Sequence, residues 1–210
     1  MRPMAVYGLT GGIGAGKSTV CRMLQAHHIT VLAADDIGRQ VVAPGSPGLA
    51  EVVAAFGPEI LDSTGALDRR QLGAVVFNDP ARRRQLEAIM HPLVKTHSQA
   101  LFAELTAAGV PIIVYESALL FETERHHEMQ GTILVTAGEA QRISRVQQRD
   151  SATEAAVRAR IQAQLSDDRK RQLADYILDN NGDVQDLQRQ VDALVMTLRQ
   201  ATGTASLPTA

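Results

Sequence analysis

The sequence predicts an α/β fold, in which a parallel sheet carries helices on both faces. Near its start, a short apolar run at residues 4–9 leads into a glycine-rich loop and then directly into a helical stretch. A continuous apolar run at residues 112–115 is typical of a strand that is buried on both faces of a parallel sheet. Apolar strand runs alternate with helical patterns, as crossover connections between parallel strands require.

The elements follow in the order β-α-β, a helical insertion, then β-α-β-α-β-α. Strands are predicted at residues 4–9, 29–32, 112–115, 132–135 and 176–178. Helices are predicted at residues 17–27, 35–42, 49–56, 71–77, 81–108, 138–149 and 184–199. The helix at 81–108 includes a possible kink at Pro92. Core segments at about 1–35 and 110–200 therefore enclose an insertion at about 36–109, and residues 201–210 read as a flexible tail.

Composition narrows the class of protein. A chain of 210 residues with 45% hydrophobic content suits one globular domain, residues 1–200, with room for an inserted subdomain. The net charge of −2 and the aromatic content of 3% argue against nucleic acid as a partner. The opening residues show no signal-peptide pattern, and no apolar run is long enough for a bilayer. With one cysteine, these features predict a cytoplasmic protein without a membrane association.

The loop at residues 11–18 has two glycines with four residues between them, followed by lysine and serine, which is the P-loop pattern. Its backbone N–H groups and the positive end of the following helix can hold phosphate oxygens. Lys17 adds a mobile charge for the β and γ phosphates, and the Ser18 hydroxyl can ligate Mg²⁺. The alternative is a glycine-rich turn without a ligand. The predicted ATP-binding residues are Gly12, Ile13, Gly14, Ala15, Gly16, Lys17, Ser18 and Thr19.

A P-loop occurs in kinases, GTPases and motor-type ATPases, so other features must decide. The aspartate-x-x-glycine pattern of a GTPase switch occurs three times in this chain and is therefore uninformative. An asparagine-lysine-x-aspartate motif for reading guanine is missing from the sequence. The size of the chain and the insertion after the second strand favour a kinase of small acceptors.

The segment from Gly8 to Val20 closely resembles the opening of the dephospho-CoA kinases. Further motifs follow that family's order and spacing, and the resemblance covers roughly residues 4–195. They are Asp35 with Ile37, Arg39 and Val42; Pro44-Gly45-Ser46-Pro47; Phe56-Gly57; Leu67-Asp68-Arg69; Val76-Phe77; His91-Pro92; Leu119-Leu120-Phe121-Glu122; Arg145 with Arg149-Asp150; Gln164; Ala174-Asp175; and Asp179-Asn180.

This resemblance implies transfer of the ATP γ-phosphate to the ribose 3′-hydroxyl of dephospho-CoA, the last step of coenzyme A synthesis. It implies a P-loop kinase three-layer sandwich with a five-stranded parallel sheet. The insertion would be the substrate-binding part, and a lid bearing arginines would lie at about residues 145–172. ATP and dephospho-CoA are then the partners, Mg²⁺ the cofactor, and a monomer or weak homo-oligomer the expected state.

Asp35, just beyond the second strand, is the candidate to orient the acceptor hydroxyl and act as the base, and with Lys17 and Arg145 it makes up the predicted catalytic set. The alternative is that Asp35 only caps a helix. Glu116 ends a strand, where it suits a carboxylate near Mg²⁺ or a substrate contact, or simply a strand end bonded to backbone. The chain departs from the family at Ala33, where an acidic residue is usual, and at Ser117-Ala118.

Arg142, Arg145 and Arg149 are spaced to share one helix face. The resemblance places arginines here in a lid over the ATP phosphates, so Arg145 is predicted to be catalytic and Arg149 to bind ATP, whereas Arg142 is expected to be solvated. The run at residues 169–171 belongs either to the lid or to an exposed face. Asn180 is predicted to bind ATP near the adenine, with a turn as the alternative.

In the insertion, Arg69 and His91 match family positions and are predicted to hold dephospho-CoA, although His91 could equally be a structural residue at a helix end. The five other histidines are interpreted as surface or packing residues. Two further functions stay open at this point. One is a P-loop kinase of another acceptor, such as a nucleoside monophosphate or a small alcohol, and the other is a nucleotide-binding regulator that has lost catalysis.

Overall fold

A five-stranded parallel sheet organises the computed structural model, which describes residues 4–77 and 79–204. The strands are β1 Ala5–Thr10, β2 Thr30–Ala33, β3 Ile112–Glu116, β4 Gly131–Thr136 and β5 Tyr176–Asp179. Their order across the sheet is β2-β3-β1-β4-β5. Leu9 of β1 lies beside Glu116 of β3 and Ile133 of β4. All five predicted strands are confirmed, and the carboxyl end of β1 opens into the glycine-rich loop.

The described residues contain nine α-helices. They are α1 Lys17–Ala26, α2 Ala34–Gln40, α3 Pro47–Phe56, α4 Arg69–Phe77, α5 Pro80–Ala107, α6 Glu139–Asp150, α7 Glu154–Gln162, α8 Asp167–Leu173 and α9 Val184–Ala201. Seven match predicted helices, and α5 continues as helix through Pro92. Helices α7 and α8 were not predicted, because both are short and polar. Their start signals were nevertheless present, since Thr153 and Ser166 cap them through their hydroxyl oxygens.

The connection between β3 and β4 differs from the predicted order, which placed a helix there. It contains only a 3₁₀ turn, Arg125–Glu128, and otherwise follows an irregular path. Leu120 and Phe121 in this connection are buried. Gly8 of β1 leaves the space that Leu120 fills, because a Cβ at Gly8 would lie 2.5 Å from a Leu120 methyl carbon. Burial of these two apolar side chains replaces the packing that a crossover helix would supply.

The two faces of the sheet are covered by different elements. On one face, α1 and α9 pack against β1, β3, β4 and β5 in one hydrophobic core. Its members include Tyr7, Leu9, Val20, Leu24, Val114, Ile133, Val135, Leu187, Val191 and Leu198. The opposite face, to which Gly8 belongs, carries the β3–β4 connection and α8. Helices on both faces make the three layers that the sequence predicts.

The chain divides into two compact units. The first consists of residues up to Leu32 and from Thr106 onward, and contains most of the sheet. The second, Ala33–Leu105, has a hydrophobic core of its own. This second core consists of Val42, Leu49, Val52, Phe56, Ile60 and Leu72, with partly buried neighbours from α4 and α5.

Among the described residues, no helix has the length and apolar character to cross a bilayer. At the carboxyl end, α9 reaches Ala201, and Thr202 and Thr204 are buried. The rest of the predicted tail, residues 205–210, lies outside the described residues, as do residues 1–3.

Candidate active site

The glycine-rich loop curls through two backbone conformations that favour glycine. Gly14 has φ 77° and Gly16 has φ 104°, both in the left-handed region. Gly16 is the N-cap of α1, and no side chain caps this helix end. Among the described residues, the N–H groups of Gly14, Gly16 and Ser18 meet no protein acceptor. An uncapped helix start with converging N–H groups is a site for an anion such as phosphate.

The carbonyl oxygens of the same loop are all hydrogen-bonded, three of them by side chains from distant parts of the chain. All six, from Gly11 to Gly16, accept hydrogen bonds from protein donors. The donors are Lys17 Nζ to Gly11 (3.0 Å), Ala15 N to Gly12 (3.1 Å), Arg142 Nε to Ile13 (2.9 Å), Arg145 Nη1 to Gly14 (3.5 Å), Asn180 Nδ2 to Ala15 (2.8 Å), and Thr19 N to Gly16 (3.0 Å).

Lys17 and Glu116 face each other at the carboxyl ends of β1 and β3. Lys17 Nζ lies 3.9 Å from Glu116 Oε1, and both side chains are largely buried. The same pair affects Cys21 on α1. Burial, and secondarily the Glu116 charge, raise the pKa of the Cys21 thiol to about 12, while Lys17 works against this shift. Cys21 is therefore an unreactive packing residue, as its place beside the core indicates.

Arg145 and Asn180 together support the loop from the side of β5. Asn180 is buried, and its backbone N–H donates to Thr136 O. Its carbonyl accepts from Arg145 Nη2 at 3.0 Å. A Cβ at Gly16 would overlap the Asn180 amide nitrogen, so the glycine there is required by this packing as well as by its φ. Asn180 therefore lies against the phosphate loop, next to the turn in which Asp179 Oδ1 accepts from Asn181 N.

Arg142 is buried, and the expectation that it is solvated is wrong. Only 3% of the residue is exposed. Its Nε donates to Ile13 O, and its Nη1 lies 2.5 Å from Asp167 Oδ2 at the start of α8. Helical spacing correctly places Arg142 and Arg145 on one face, but it could not show that this face packs on the loop and not on solvent.

Arg149, at the end of the same helix, is exposed and pairs with its neighbour Asp150. Asp150 also receives Arg160 Nη1 at 3.0 Å. The hydrogen bond from Arg149 lowers the pKa of Asp150. Arg149 and Arg160, both within residues 145–172, therefore share one carboxylate, that of Asp150.

The run at residues 169–171 is not a uniformly exposed face. Lys170 is fully buried, and its Nζ lies 3.0 Å from Glu122 Oε1. Glu122 also accepts from Leu165 N. Arg171 donates to Thr136 Oγ1 at 3.2 Å. Glu122 belongs to the β3–β4 connection, so this buried ion pair fastens α8 to the sheet face that the connection covers.

Asp35, Arg69 and His91 belong to the second compact unit, and all three are exposed. Asp35 lies in the first turn of α2, whose N-cap is Ala33 without a side-chain cap, so the helix-cap interpretation of Asp35 is wrong. Asp68 instead caps α4, accepting from Arg70 N and Gln71 N. His91 lies inside α5, well away from either end, so its interpretation as a helix-end residue is also wrong.

Reasoning from the sequence missed the role of Gln164. Its Oε1 accepts from Ile13 N at 2.9 Å, joining the segment between α7 and α8 to the loop. The sequence marks Gln164 only as part of the family pattern, because a glutamine in a polar stretch has no local signal of its own. The contact joins residues 151 positions apart, which no spacing rule can anticipate.

Comparison with known proteins agrees with this geometry. Residues 5–186 match the family model described as dephospho-CoA kinase. The chain belongs to the dephospho-CoA kinase family. It is therefore a kinase of the final step of coenzyme A biosynthesis. A dephospho-CoA kinase from Thermobifida fusca is 43% identical, covering 90% of this chain and 93% of its own. One from Bdellovibrio bacteriovorus is 42% identical, covering 94% and 98%.

Solved structures show the same fold. A structure from Thermus thermophilus has a TM-score of 0.78 at 35% identity, and covers 94% of this chain and 99% of its own. A dephospho-CoA kinase from Campylobacter jejuni has a TM-score of 0.71 at 22% identity, with coverage of 93% and 98%. A shikimate kinase from Acinetobacter baumannii has the same fold, with a TM-score of 0.53 at 14% identity and coverage of 95% and 96%.

Proposed function

We propose that this kinase transfers the γ-phosphate of Mg²⁺-ATP to the ribose 3′-hydroxyl of dephospho-CoA, giving coenzyme A and ADP. The observation that carries the nucleotide half of the proposal is the loop itself. Its six carbonyl oxygens accept hydrogen bonds from other protein groups, and the N–H groups of Gly14, Gly16 and Ser18 are left for an anion. The acceptor half rests on membership of the dephospho-CoA kinase family.

The loop residues from Gly12 to Thr19 bind the phosphates in this proposal, and Lys17 neutralises charge on the β and γ oxygens. Lys17 is held ready by Gly11 O and Glu116. The Ser18 hydroxyl fits Mg²⁺, because it is exposed at the start of α1 and makes no hydrogen bond within the described residues. Bound Mg²⁺ supplies charge neutralisation of the phosphates, and it needs few protein ligands because phosphates and water provide the others.

Asp35 orients the acceptor hydroxyl and accepts its proton in the proposed reaction. Its carboxylate is exposed, and it has no hydrogen bond or ion pair within residues 4–77 and 79–204. A carboxylate without a protein partner, directly after a strand of a P-loop kinase, is available to a substrate hydroxyl. The missing acidic residue at Ala33 means that a single carboxylate acts at this position.

Two sets of side chains complete the proposal. Arg145 and Arg149 neutralise charge that develops on the transferred group, Arg149 by exchanging Asp150 for phosphate. Arg69 and His91 hold dephospho-CoA from the inserted unit, with Glu116 as a further substrate contact. Asn180 acts on ATP through the loop, since its amide holds Ala15 O. A cytoplasmic location belongs to the same proposal, and the single cysteine fits such a reducing compartment.

The test is coupled ADP release by the purified protein with Mg²⁺-ATP, with and without dephospho-CoA. We expect release that depends on dephospho-CoA and is accompanied by coenzyme A formation. Lys17→Ala should abolish it, and Asp35→Asn should keep ATP affinity but lower kcat by about 100-fold or more. Asp36→Asn, at the neighbouring exposed carboxylate, is the matched control and should keep nearly full activity.

Each part of the proposal can fail separately. Turnover that requires a nucleoside monophosphate or a small alcohol instead of dephospho-CoA would assign another acceptor. ATP binding without turnover on any acceptor would identify a regulator that has lost catalysis. Unchanged turnover of Asp35→Asn would remove Asp35 from the mechanism while leaving the reaction intact.

A further inference from the structure

The backbone of Ile13 is held on both sides by side chains from the arginine-bearing segment. Gln164 Oε1 accepts from Ile13 N at 2.9 Å, and Arg142 Nε donates to Ile13 O at 2.9 Å. These two bonds fix the two peptide planes that flank one Cα. Because a residue has only two soft backbone dihedrals, fixing both planes fixes the direction of the Gly14 N–H, which lies in the second plane, and sets the path of the loop after it.

Burial and pairing hold the Arg142 side chain in place beside Ile13. The residue is 3% exposed, and its guanidinium is compensated by Asp167 at the start of α8. The glycine pattern of the loop matches it. A Cβ at Gly12 would overlap the guanidinium, and a Cβ at Gly14 would lie 2.5 Å from the Arg142 carbonyl oxygen. Two loop glycines therefore leave room for Arg142 against the loop.

We propose that Arg142 and Gln164 are positioning residues for phosphoryl transfer, which hold Ile13 so that the N–H groups after it converge on the phosphates. Neither side chain need touch the nucleotide. Arg142 starts from α6 and Gln164 from the link between α7 and α8, so the proposal makes the shape of the nucleotide loop depend on how these helices are arranged. It rests on the proposed function only in taking ATP as the nucleotide.

The test separates the hydrogen bond to Ile13 from the charge of the guanidinium. In Arg142→Gln the amide nitrogen stands the same number of bonds from Cα as Nε, so it can still donate to Ile13 O. Arg142→Met matches the glutamine side chain in length and removes the donor. Gln164→Met removes the acceptor for Ile13 N. The matched controls are Gln162→Met, at an exposed residue of α7, and Arg189→Gln, at an exposed arginine of α9 whose partner Asp186 lies on the same helix.

We expect Arg142→Met and Gln164→Met to raise the Kd for Mg²⁺-ADP and lower kcat/KM for ATP by about 10- to 100-fold, since small misplacements of a binding loop have effects of this size. The KM for dephospho-CoA should change by no more than about twofold, because in the proposed function the acceptor is held mainly by residues of the inserted unit. Arg142→Gln should recover most of the affinity for Mg²⁺-ADP, and both control variants should match the wild type.

Wild-type affinity in Gln164→Met, or equal losses in Arg142→Gln and Arg142→Met, would overturn the proposal. The proposal would also be overturned if the loss of Mg²⁺-ADP affinity in each variant were explained by a lower Tm, which thermal unfolding measures. If Arg142→Met does not fold, the result for Gln164→Met tests the proposal, because this variant removes a neutral side chain and leaves no charged residue without its partner. Mg²⁺-ADP binding needs no acceptor and can be measured whether or not dephospho-CoA is the substrate. If the wild type does not phosphorylate dephospho-CoA, the proposed function is wrong, but the binding measurements still test this inference.

Discussion

At the scale of single residues, the recurring feature is a buried charged or polar side chain that connects distant parts of the chain. Arg142, Lys170 and Asn180 are each at most 9% exposed, and each has its partner on another element. Buried groups of this kind are costly unless they are paired, so each pair specifies one arrangement of its two elements. The loop is positioned by such pairs and not by apolar packing alone.

The pair Lys170–Glu122 allows a test of this view. Glu122→Gln removes the negative charge that faces the fully buried ammonium of Lys170, whose Nζ has no well-aligned hydrogen-bond acceptor among the described residues. We expect it to lower the free energy of unfolding by about 3 kcal/mol. Lys170→Met removes the buried charge and should cost about 1 kcal/mol or less, because the Glu122 side chain is 21% exposed and can be hydrated.

Urea unfolding of both single variants and of the double variant measures these values. The double variant should lie close to Lys170→Met, because no buried charge remains in either. A Glu122→Gln variant that is no less stable than Lys170→Met would show that the ion pair does not control this region.

At the scale of elements, short helices are made possible here by their caps and by side chains that bind them to the sheet. Helix α8 has only seven residues, too few for stability by itself. Ser166 caps it, acidic residues occupy its first turn, and basic residues occupy its last turn. Because α8 carries Asp167 and Lys170, its position affects both the loop and the sheet.

The cap predicts a measurable effect. Ser166→Ala removes the oxygen that accepts from Arg169 N, and we expect it to lower the free energy of unfolding by about 1 kcal/mol. Ser166→Asp keeps an oxygen at the cap and should stay within about 0.5 kcal/mol of the wild type. Equal destabilisation by alanine and aspartate, measured by urea unfolding, would contradict a capping role.

At the scale of the whole molecule, the chain separates into a unit that contains the nucleotide loop and an inserted unit with its own core. In the proposed function the two units bind different substrates, and variants should therefore divide by unit. Arg69→Ala, in the inserted unit, should raise the KM for dephospho-CoA by about 10-fold or more, the worth of a hydrogen bond to a charged group. Its KM for ATP should not change.

Arg149→Ala, in the first unit, should have the opposite effect on the two KM values, raising that for ATP and not that for dephospho-CoA, and it should also lower kcat. Arg70→Ala is the control for Arg69, since it is the exposed neighbour on the same helix. Steady-state kinetics with each substrate varied in turn separates the two parameters. If Arg69→Ala changes both KM values equally, or neither, the inserted unit does not hold the acceptor through this residue.

The sequence by itself determined the parallel sheet, most helices, the phosphate loop and the dephospho-CoA kinase family. The sheet, the helices and the phosphate loop follow from local patterns, because an apolar run, a cap or a glycine motif is complete within a short segment, and the family follows from the order and spacing of many such motifs along the chain. Only the tertiary structure decided that Arg142 and Lys170 are buried, that Gln164 binds Ile13, and that Asn180 supports the loop. It also showed that Leu120 and Phe121 replace a helix between β3 and β4. Each of these facts depends on which distant surface a side chain meets, and helical or strand periodicity gives a direction but not the partner that lies there.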